Sequence, residues 1–285
     1  MDISFLGSSK KEIKNMNKGK VEAAFEYSST YIQFLAFLKI GFKIAYRTVQ
    51  GIIRGLSDYI SRIEEIHFTQ IRRRILKVKP SIGDLNLDND GDDDGEDKKR
   101  ITLIVDDASG LTITKKGDYY IEQKWIRKKK EYIKLHIAVD AKSKKVVSFR
   151  VTKGNVHDSK KFSPMIREVS EQYDIGKVYA DKAHDNKRSF QLLDGLNIEP
   201  AINIRNNASV KTKQCRLRRE EVLLIKKLGY ERWKQFKDAG RRWTAEIVFS
   251  SIKRVFGENL LSKRFKAQKI EAGLKVMLYN KFMGL

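Results

Sequence analysis

The sequence predicts an α/β protein in which a mixed five-stranded sheet with flanking helices follows a small all-α domain. Two observations support this. Through residues 19–79, apolar residues recur at intervals of three and four, the period of an amphipathic helix. After residue 98 the pattern changes to short β-rich runs, three in succession and then alternating with helices. Such an order indicates a mixed sheet with helices packed on it.

The helical part is expected to consist of short helices and to end in a basic one. Its last segment contains Arg72, Arg73 and Arg74. Short helices that end in an arginine cluster favour a helix-turn-helix DNA-binding module. A helical bundle with a solvated basic face fits the same pattern, so both interpretations stay open.

The sheet is expected to follow in order along the rest of the chain. Strands are predicted at 101–107, 132–140, 146–152, 177–181 and 198–204, and helices at 158–173, 187–193, 241–256 and 267–282. A strongly basic, partly helical insertion is expected at about 205–240.

An acidic segment separates the two parts. Residues 84–97 hold eight acids, no base and little that could be buried. We therefore expect a solvated linker at 84–98, between a helical domain at 1–83 and an α/β domain at 99–285. The run Asp-x-Asp-x-Asp-Gly begins like a calcium loop, but Ile101 stands where the bidentate Glu is required, which argues against an EF-hand.

The charge predicts a polyanionic partner. The chain carries 59 Lys and Arg against 36 Asp and Glu, a net charge of +23. Such a field favours nucleic acid, although a lysine-rich solubilising surface is the alternative. The most apolar window, 27–46, is interrupted by Lys39 and Lys43, so we expect a packed helix there rather than a membrane span.

The residue inventory excludes several chemistries. Cys215 is the one cysteine, which excludes a disulfide framework and paired-cysteine zinc sites and suggests a cytoplasmic setting without an export signal. Phosphate-loop, His-Glu-x-x-His and Gly-x-Ser-x-Gly motifs do not occur. The four scattered histidines are interpreted as structural or surface residues rather than zinc ligands.

Carboxylates at the ends of predicted strands are the remaining candidates for chemistry. One strand ends in Asp106 and Asp107, and another in Asp181. Functional groups collect at such strand ends in α/β sheets. Because side chains alternate along a strand, Asp106 and Asp107 point to opposite faces and only one of them can serve a given site.

A third candidate carboxylate lies on the helix predicted at 241–256. Arg242, Glu246 and Lys253 fall along one stripe of this helix, a pattern that a solvated ion pair would also give. A separate apolar stripe would seat the helix on the sheet; it comprises Ala245, Val248, Ile252 and Val255. Trp243 is interpreted as a core residue, with stacking on a base as the alternative.

Several segments resemble, in order, those of bacterial and archaeal insertion-sequence DDE transposases. Asp107-Ala-Ser-Gly-Leu111 is similar to the first acidic motif of this family, Tyr179-Ala-Asp-Lys-Ala-His-Asp185 to the second, and Arg242-Trp-Thr-Ala-Glu-Ile-Val-Phe-Ser-Ser-Ile-Lys253 to the third. Segments 134–140 and 154–158 are similar to stretches between the first two. The family signature Tyr-x2-Arg-x3-Glu-x6-Lys is matched except that Ala239 replaces the Tyr.

The resemblance implies a ribonuclease H-like core that binds two Mg²⁺ or Mn²⁺ ions through Asp107, Asp181 and Glu246 as the catalytic residues. It implies metal-dependent cleavage and strand transfer of double-stranded DNA at element ends, by a homodimer. Arg242 and Lys253 would hold phosphates near the site, and the basic segment 205–240 would hold flanking DNA. Element ends would be bound partly by residues 30–80, with Arg72, Arg73 and Arg74 as the expected DNA-binding residues. The alternatives are a ribonuclease H-like nuclease without joining activity and a non-catalytic DNA-binding relic.

Overall fold

The computed structural model describes residues 5–21, 23–60, 63–80, 82, 98–105, 108–113, 131–211 and 215–284. The chain forms two compact units. One consists of Met1–Ser81 with Arg264–Leu278, and the other of Ile82–Lys263 with Tyr279–Leu285. The predicted linker at 84–98 lies outside the described residues apart from its last position. The helix near residue 270, which we expected to belong wholly to the α/β domain, contributes most of its length to the helical unit.

The first unit is helical, as predicted. Its helices are α1 (Phe5–Asn17), α2 (Ser29–Gly41), α3 (Tyr46–Ser57) and α4 (Phe68–Ile75), together with the first part of α10 (Phe265–Met283). Helix α2 begins where the Ser28 hydroxyl accepts the N–H of Tyr31, a cap that satisfies an otherwise unpaired donor. It is buried along most of its length because its sequence is almost entirely apolar. Whether this unit functions as a helix-turn-helix module stays a prediction.

No helix in the described part of the chain combines the length and the apolar character needed to cross a bilayer.

The second unit contains a mixed sheet. Its strands are β1 (Arg100–Val105), β2 (Ser109–Ile113), β3 (Tyr132–Asp140), β4 (Val146–Lys153), β5 (Asp174–Ala180), β6 (Glu199–Ile202) and β7 (Asn259–Leu260). Five of them lie in the order β4-β3-β1-β5-β6. Strand β3 is antiparallel to β1 and β4, whereas β1, β5 and β6 are parallel. This arrangement is that of a ribonuclease H-like core and confirms the predicted fold class.

The described sheet has two strands more than the five predicted. Strand β2 pairs antiparallel with the first half of β3, and the two-residue β7 pairs parallel with β2. The two-residue β7 is too short to show a period in the sequence, and β2 contains Gly110, which weakens a strand pattern. Strands β1 and β2 pair with successive parts of β3, through Val105 with Ala138 and Ser109 with Leu135.

Helices cover both faces of the sheet. On one face, α5 (Ser159–Gln172) and α6 (Lys187–Gly195) pack through residues such as Phe162 and Phe190 against Leu103, Val105 and Val178. On the other, α9 (Trp243–Phe256) packs through Ala245 against a cluster from three parallel strands, which consists of Ile104, Tyr179 and Ala201. The alternation of side chains along each strand therefore separates two cores.

The insertion predicted at 205–240 forms two helices, α7 (Arg216–Leu228) and α8 (Tyr230–Lys237). A buried polar cluster holds them together: Lys237 pairs with Glu221 at 2.8 Å and with Glu199, at the start of β6, at 3.0 Å. Glu221 also accepts the indole N–H of Trp233. These bonds compensate for the burial of the charges.

Residues after 278 complete the edge of the sheet. The side-chain amide of Asn280 accepts the N–H of Val146 and donates to its carbonyl, each at 2.8 Å. One side chain thus satisfies both peptide groups at the start of β4, as a neighbouring strand would.

Candidate active site

Asp181 directly follows β5, at the carboxyl end of the parallel strands. Its backbone stays extended, with φ −78° and ψ 166°, so the alternation of the strand continues through it. The preceding residue, Ala180, faces the core beneath α5 and α6. Asp181 is therefore directed to the opposite face, where α9 lies.

Asp106 and Asp107 lie outside the described residues. The positions on either side of them are defined, however. Val105, at the end of β1, is the register partner of Ala180, the residue before Asp181. Ala108 and Ser109 line a cleft together with Glu246.

Glu246 lies in the first turn of α9. A carboxylate is favoured there by the positive end of the helix dipole. The preceding residue, Ala245, is fully buried against Ile104 and Tyr179, and its small side chain lets the helix approach the strands closely. The turn that carries Glu246 is thereby held near the strand ends.

Arg242 connects the two described acids of the site. Its Nη1 lies 3.9 Å from Oδ1 of Asp181 and 3.6 Å from Oε1 of Glu246. The Asp181 side chain is 20% exposed and that of Glu246 is 46% exposed. Two carboxylates that are distant in the sequence therefore meet at one guanidinium on the protein surface.

The cleft beside Glu246 has a volume of about 610 Å³. Lys253, predicted as a phosphate ligand, lines it two turns of helix beyond Glu246, and Arg254 adds a second cation. Arg242, predicted in the same role, lies between the acids instead. Two acids, Glu246 and Glu258, line the cleft as well, so Lys253 and Arg254 offer local contacts for phosphates rather than an overall positive charge.

The donor set fits a hard divalent cation. Carboxylate oxygens are the ligands that Mg²⁺ and Mn²⁺ prefer, and Asp181 and Glu246 supply them from facing elements. Among the residues that the structure describes, no three His, Cys, Asp or Glu side chains form a metal-binding group. Asp107, the third predicted ligand, lies outside the described residues.

Two of the four histidines are buried near Asp181 and its loop. His136 bonds to the Thr152 hydroxyl at 2.9 Å, and the ring of His184 packs on Phe162 with centroids 4.9 Å apart. Burial lowers the pKa of each imidazole to about 4. Both are therefore neutral packing residues at physiological pH, in agreement with the structural role predicted for them.

Some of the basic residues of the helical unit line a groove of about 880 Å³; Arg73 and Arg74 are among them, whereas Arg72 is not. Arg72 and Arg73 are exposed, whereas Arg74 pairs with Glu26 at 3.1 Å and lies over the ring of Tyr27. Arg74 therefore holds the unit together in addition to facing the groove. Six cations contribute to the groove, together with aromatic and amide side chains: Arg73, Arg74, Lys77, Lys79, Arg264 and Lys266.

Two expectations for α9 were wrong. Trp243, interpreted as a core residue, is 60% exposed at the start of the helix. Val255, assigned to the apolar stripe, is 45% exposed. The buried face instead comprises Ala245, Val248, Phe249, Ile252 and Phe256, because the helix lies on the sheet with its face rotated towards the two phenylalanines.

Comparisons with known proteins agree with the family suggested by the motifs. Among solved structures, the catalytic core domain of BIV integrase is similar with 12% identity and a TM-score of 0.30, covering 61% of this chain and 80% of that chain. A chain of the simian T-cell lymphotropic virus intasome in complex with PP2A regulatory subunit B56 gamma is similar with 13% identity and a TM-score of 0.26, covering 83% and 74%. With TM-scores this low, the fold assignment depends on the strand order and not on these two structures. The model of the transposase DDE domain matches residues 98–281, more than half of the chain. The chain therefore belongs to the transposase DDE domain family.

Proposed function

We propose that this protein is a DDE transposase that cleaves DNA at the ends of an insertion sequence and joins them to a target. The observation that carries the proposal is the meeting of Asp181 and Glu246 at Arg242. Both acids belong to motifs of the family, and Glu246 shares its cleft with Ala108, the neighbour of Asp107. Asp107, rather than Asp106, is assigned as the third acid by its motif.

The acids are assigned as metal ligands, and the chemistry is therefore assigned to carboxylates rather than to a histidine or serine side chain. Bound through Asp107, Asp181 and Glu246, two Mg²⁺ or Mn²⁺ ions would supply charge for in-line displacement at phosphorus. The residues themselves position the substrate. Lys253 and Arg254 hold phosphates along the cleft, and Arg242 balances the negative charge between the carboxylates.

Double-stranded DNA is the proposed partner. The net charge of +23 supplies the attraction, and the groove of the helical unit offers cations beside Phe25 and Tyr27. Joining two element ends to one target requires two active sites, so we propose a homodimer that acts at the bacterial or archaeal nucleoid.

The proposal is tested by joining of a labelled DNA end to plasmid in Mg²⁺. Replacing any one ligand, by Asp107→Asn, Asp181→Asn or Glu246→Gln, should lower the joining rate at least ~10³-fold, since each removes a charge that the ions need. Asp194→Asn, an exposed acid at the end of α6, is the matched control and should join normally. Thermal stabilisation by Mn²⁺ should disappear in the ligand variants alone.

The same assay separates the alternatives. A ribonuclease H-like nuclease would give cut products without joined ones, and a DNA-binding relic would give neither while still retaining DNA. If the ligand variants join as fast as the parent protein, the proposed function is wrong.

A further inference from the structure

Asp181 also lines a second polar pocket, to which Arg242 does not contribute. This pocket has a volume of about 470 Å³ and is lined by Asp181, Lys182, Ala183, Arg205, Asn206 and Asn207. It does not share a lining residue with the cleft that contains Glu246. Its walls come from the loops that follow β5 and β6, so both lie at the carboxyl ends of parallel strands.

A buried carboxylate fixes the shape of this pocket. The Asp185 side chain is fully buried and accepts two bonds from Arg218, at 2.6 and 3.1 Å. It also accepts the backbone N–H of Arg205 at 3.0 Å. One side chain therefore fastens the loop after β6, and helix α7 with it, to the loop that begins at Asp181.

The position of Arg205 is further restricted by its side chain. Its Nε donates to the carbonyl of Lys182 at 3.2 Å, which ties the two cations of the pocket to each other. The pocket is thus held in place before any ligand arrives, and a site of this kind loses less entropy on binding.

The lining is suited to an anion with several oxygen acceptors. Lys182 and Arg205 supply positive charge, and Asn206 and Asn207 supply exposed amide donors. A phosphodiester presents both a charge and acceptor oxygens, and Arg and Asn are among the side chains that commonly bind it. Asp181 is the one acid in the lining, at the edge that this pocket shares with the active site.

We propose that this pocket binds a backbone phosphate of the DNA strand next to the bond that is cleaved. The inference rests on the proposed function, because it identifies the acids as the cleavage point. A strand whose scissile phosphate lies at Asp181 and Glu246 then lies next to the Lys253 cleft, which Glu246 lines, and next to the Arg205 pocket, which Asp181 lines. Asp185 acts as the positioning residue of this second contact.

Charge substitution in the pocket tests the proposal. Asn206→Asp and Asn207→Asp each bring a negative charge beside the phosphate and should weaken binding of a 30-base-pair mixed-sequence duplex at least ~5-fold, as measured by fluorescence anisotropy with EDTA present. Asn197→Asp is the matched control. It adds the same charge on an exposed turn at the other end of β6 and should change Kd less than ~2-fold. Equal effects at all three positions would overturn the proposal.

Cross-linking supplies an independent measurement. The native Cys215 is buried, so a thiol-specific azidophenacyl photo-cross-linker should label the new side chain in Asn207→Cys or Asn197→Cys. The first should cross-link to the duplex and the second should not. Equal yields from both positions would contradict the pocket assignment.

These outcomes are distinguishable from failure of the proposed function. Binding and cross-linking are measured without divalent metal and do not depend on joining. A protein that cross-links at position 207 but never joins DNA would refute the transposase activity alone. One that joins DNA normally, and is unaffected by Asn207→Asp in both binding and joining, would refute the pocket alone.

Discussion

Trp233 and Trp243 belong to neighbouring helices but have opposite surroundings. Trp233 is fully buried and donates to Glu221 at 3.3 Å, whereas Trp243 is 60% exposed. Trp233→Ala should lower the free energy of unfolding by ~3–5 kcal/mol, because it leaves a large cavity. Trp243→Ala should change it by less than ~0.5 kcal/mol, as is usual for surface positions. Urea unfolding measures both, and similar losses would contradict the burial described here.

The exposure of Trp243 also bears on its function. Trp243 lies beside Arg242, and packing in the core does not account for its side chain. We therefore expect the alternative role, stacking on a DNA base. The sequence alone could not determine whether Trp243 is buried, because it stands at the start of the helix, where the apolar period does not fix which face packs on the sheet.

The buried imidazoles give a pH dependence to stability. Burial lowers the pKa of His136 and of His184 from 6.5 to about 4. Above pH 6.5 both the folded and the unfolded chains hold neutral rings. Between pH 6.5 and 4 the unfolded chain binds protons that the folded chain excludes, so the free energy of unfolding should fall as the pH falls.

Urea unfolding at pH 7, 6 and 5 measures this fall. His184→Leu keeps an apolar contact with Phe162 and removes one titrating ring, so the decrease should become shallower. An unchanged slope would mean that folding does not lower the pKa of His184.

At the scale of elements, the groove of the helical unit should contribute to DNA binding through its position as well as its charge. Lys77 and Lys79 follow α4 and line the groove, whereas Lys10 and Lys11 are exposed on α1 and do not. The double variant Lys77→Glu/Lys79→Glu should weaken duplex binding at least ~10-fold and reduce its salt dependence. Lys10→Glu/Lys11→Glu makes the same change in net charge and should have a much smaller effect. Filter binding between 50 and 200 mM salt compares the two, and equal losses would assign the effect to charge alone.

Long periodic elements were predictable from the sequence, and short or distributed ones were not. Helices α2 and α3 have clear apolar spacing, and β3 and β4 are long enough to show β-rich composition. Strand β7 has two residues and shows no pattern of its own. Its place in the sheet depends on a partner, β2, that is distant in the sequence.

The candidate site was predictable to the same extent. Asp181 and Glu246 stand in recognisable motifs and do come together. The basic segment 205–240 was expected to hold flanking DNA, but the pocket that Arg205 forms with Lys182 was not predicted, because its residues come from two loops that are distant in the sequence. The bonds from Arg205 and Arg218 to Asp185 are evident only in three dimensions, although Asp185 itself ends the second acidic motif.

At the scale of the whole molecule, the distribution of charge follows the two proposed DNA-binding regions. The net charge is +23, and cations line the groove of the helical unit, the cleft beside Glu246 and the pocket at Arg205. The net charge predicted a polyanionic partner from the sequence. It could not predict which surfaces bind that partner, because net charge does not depend on where each residue lies in the fold.

The two compact units are interleaved along the polypeptide. The helical unit takes Arg264–Leu278 from beyond the sheet, and the chain then returns to the sheet unit, where Asn280 pairs with Val146. Cutting the gene at the acidic stretch would consequently not release two self-sufficient fragments. The upstream piece would lack the helical segment Arg264–Leu278, and the downstream piece would carry this segment without the helices it belongs with. Expression of either unit of this protein alone would require that residues 264–278 be attached to the helical unit, by grafting or by circular permutation.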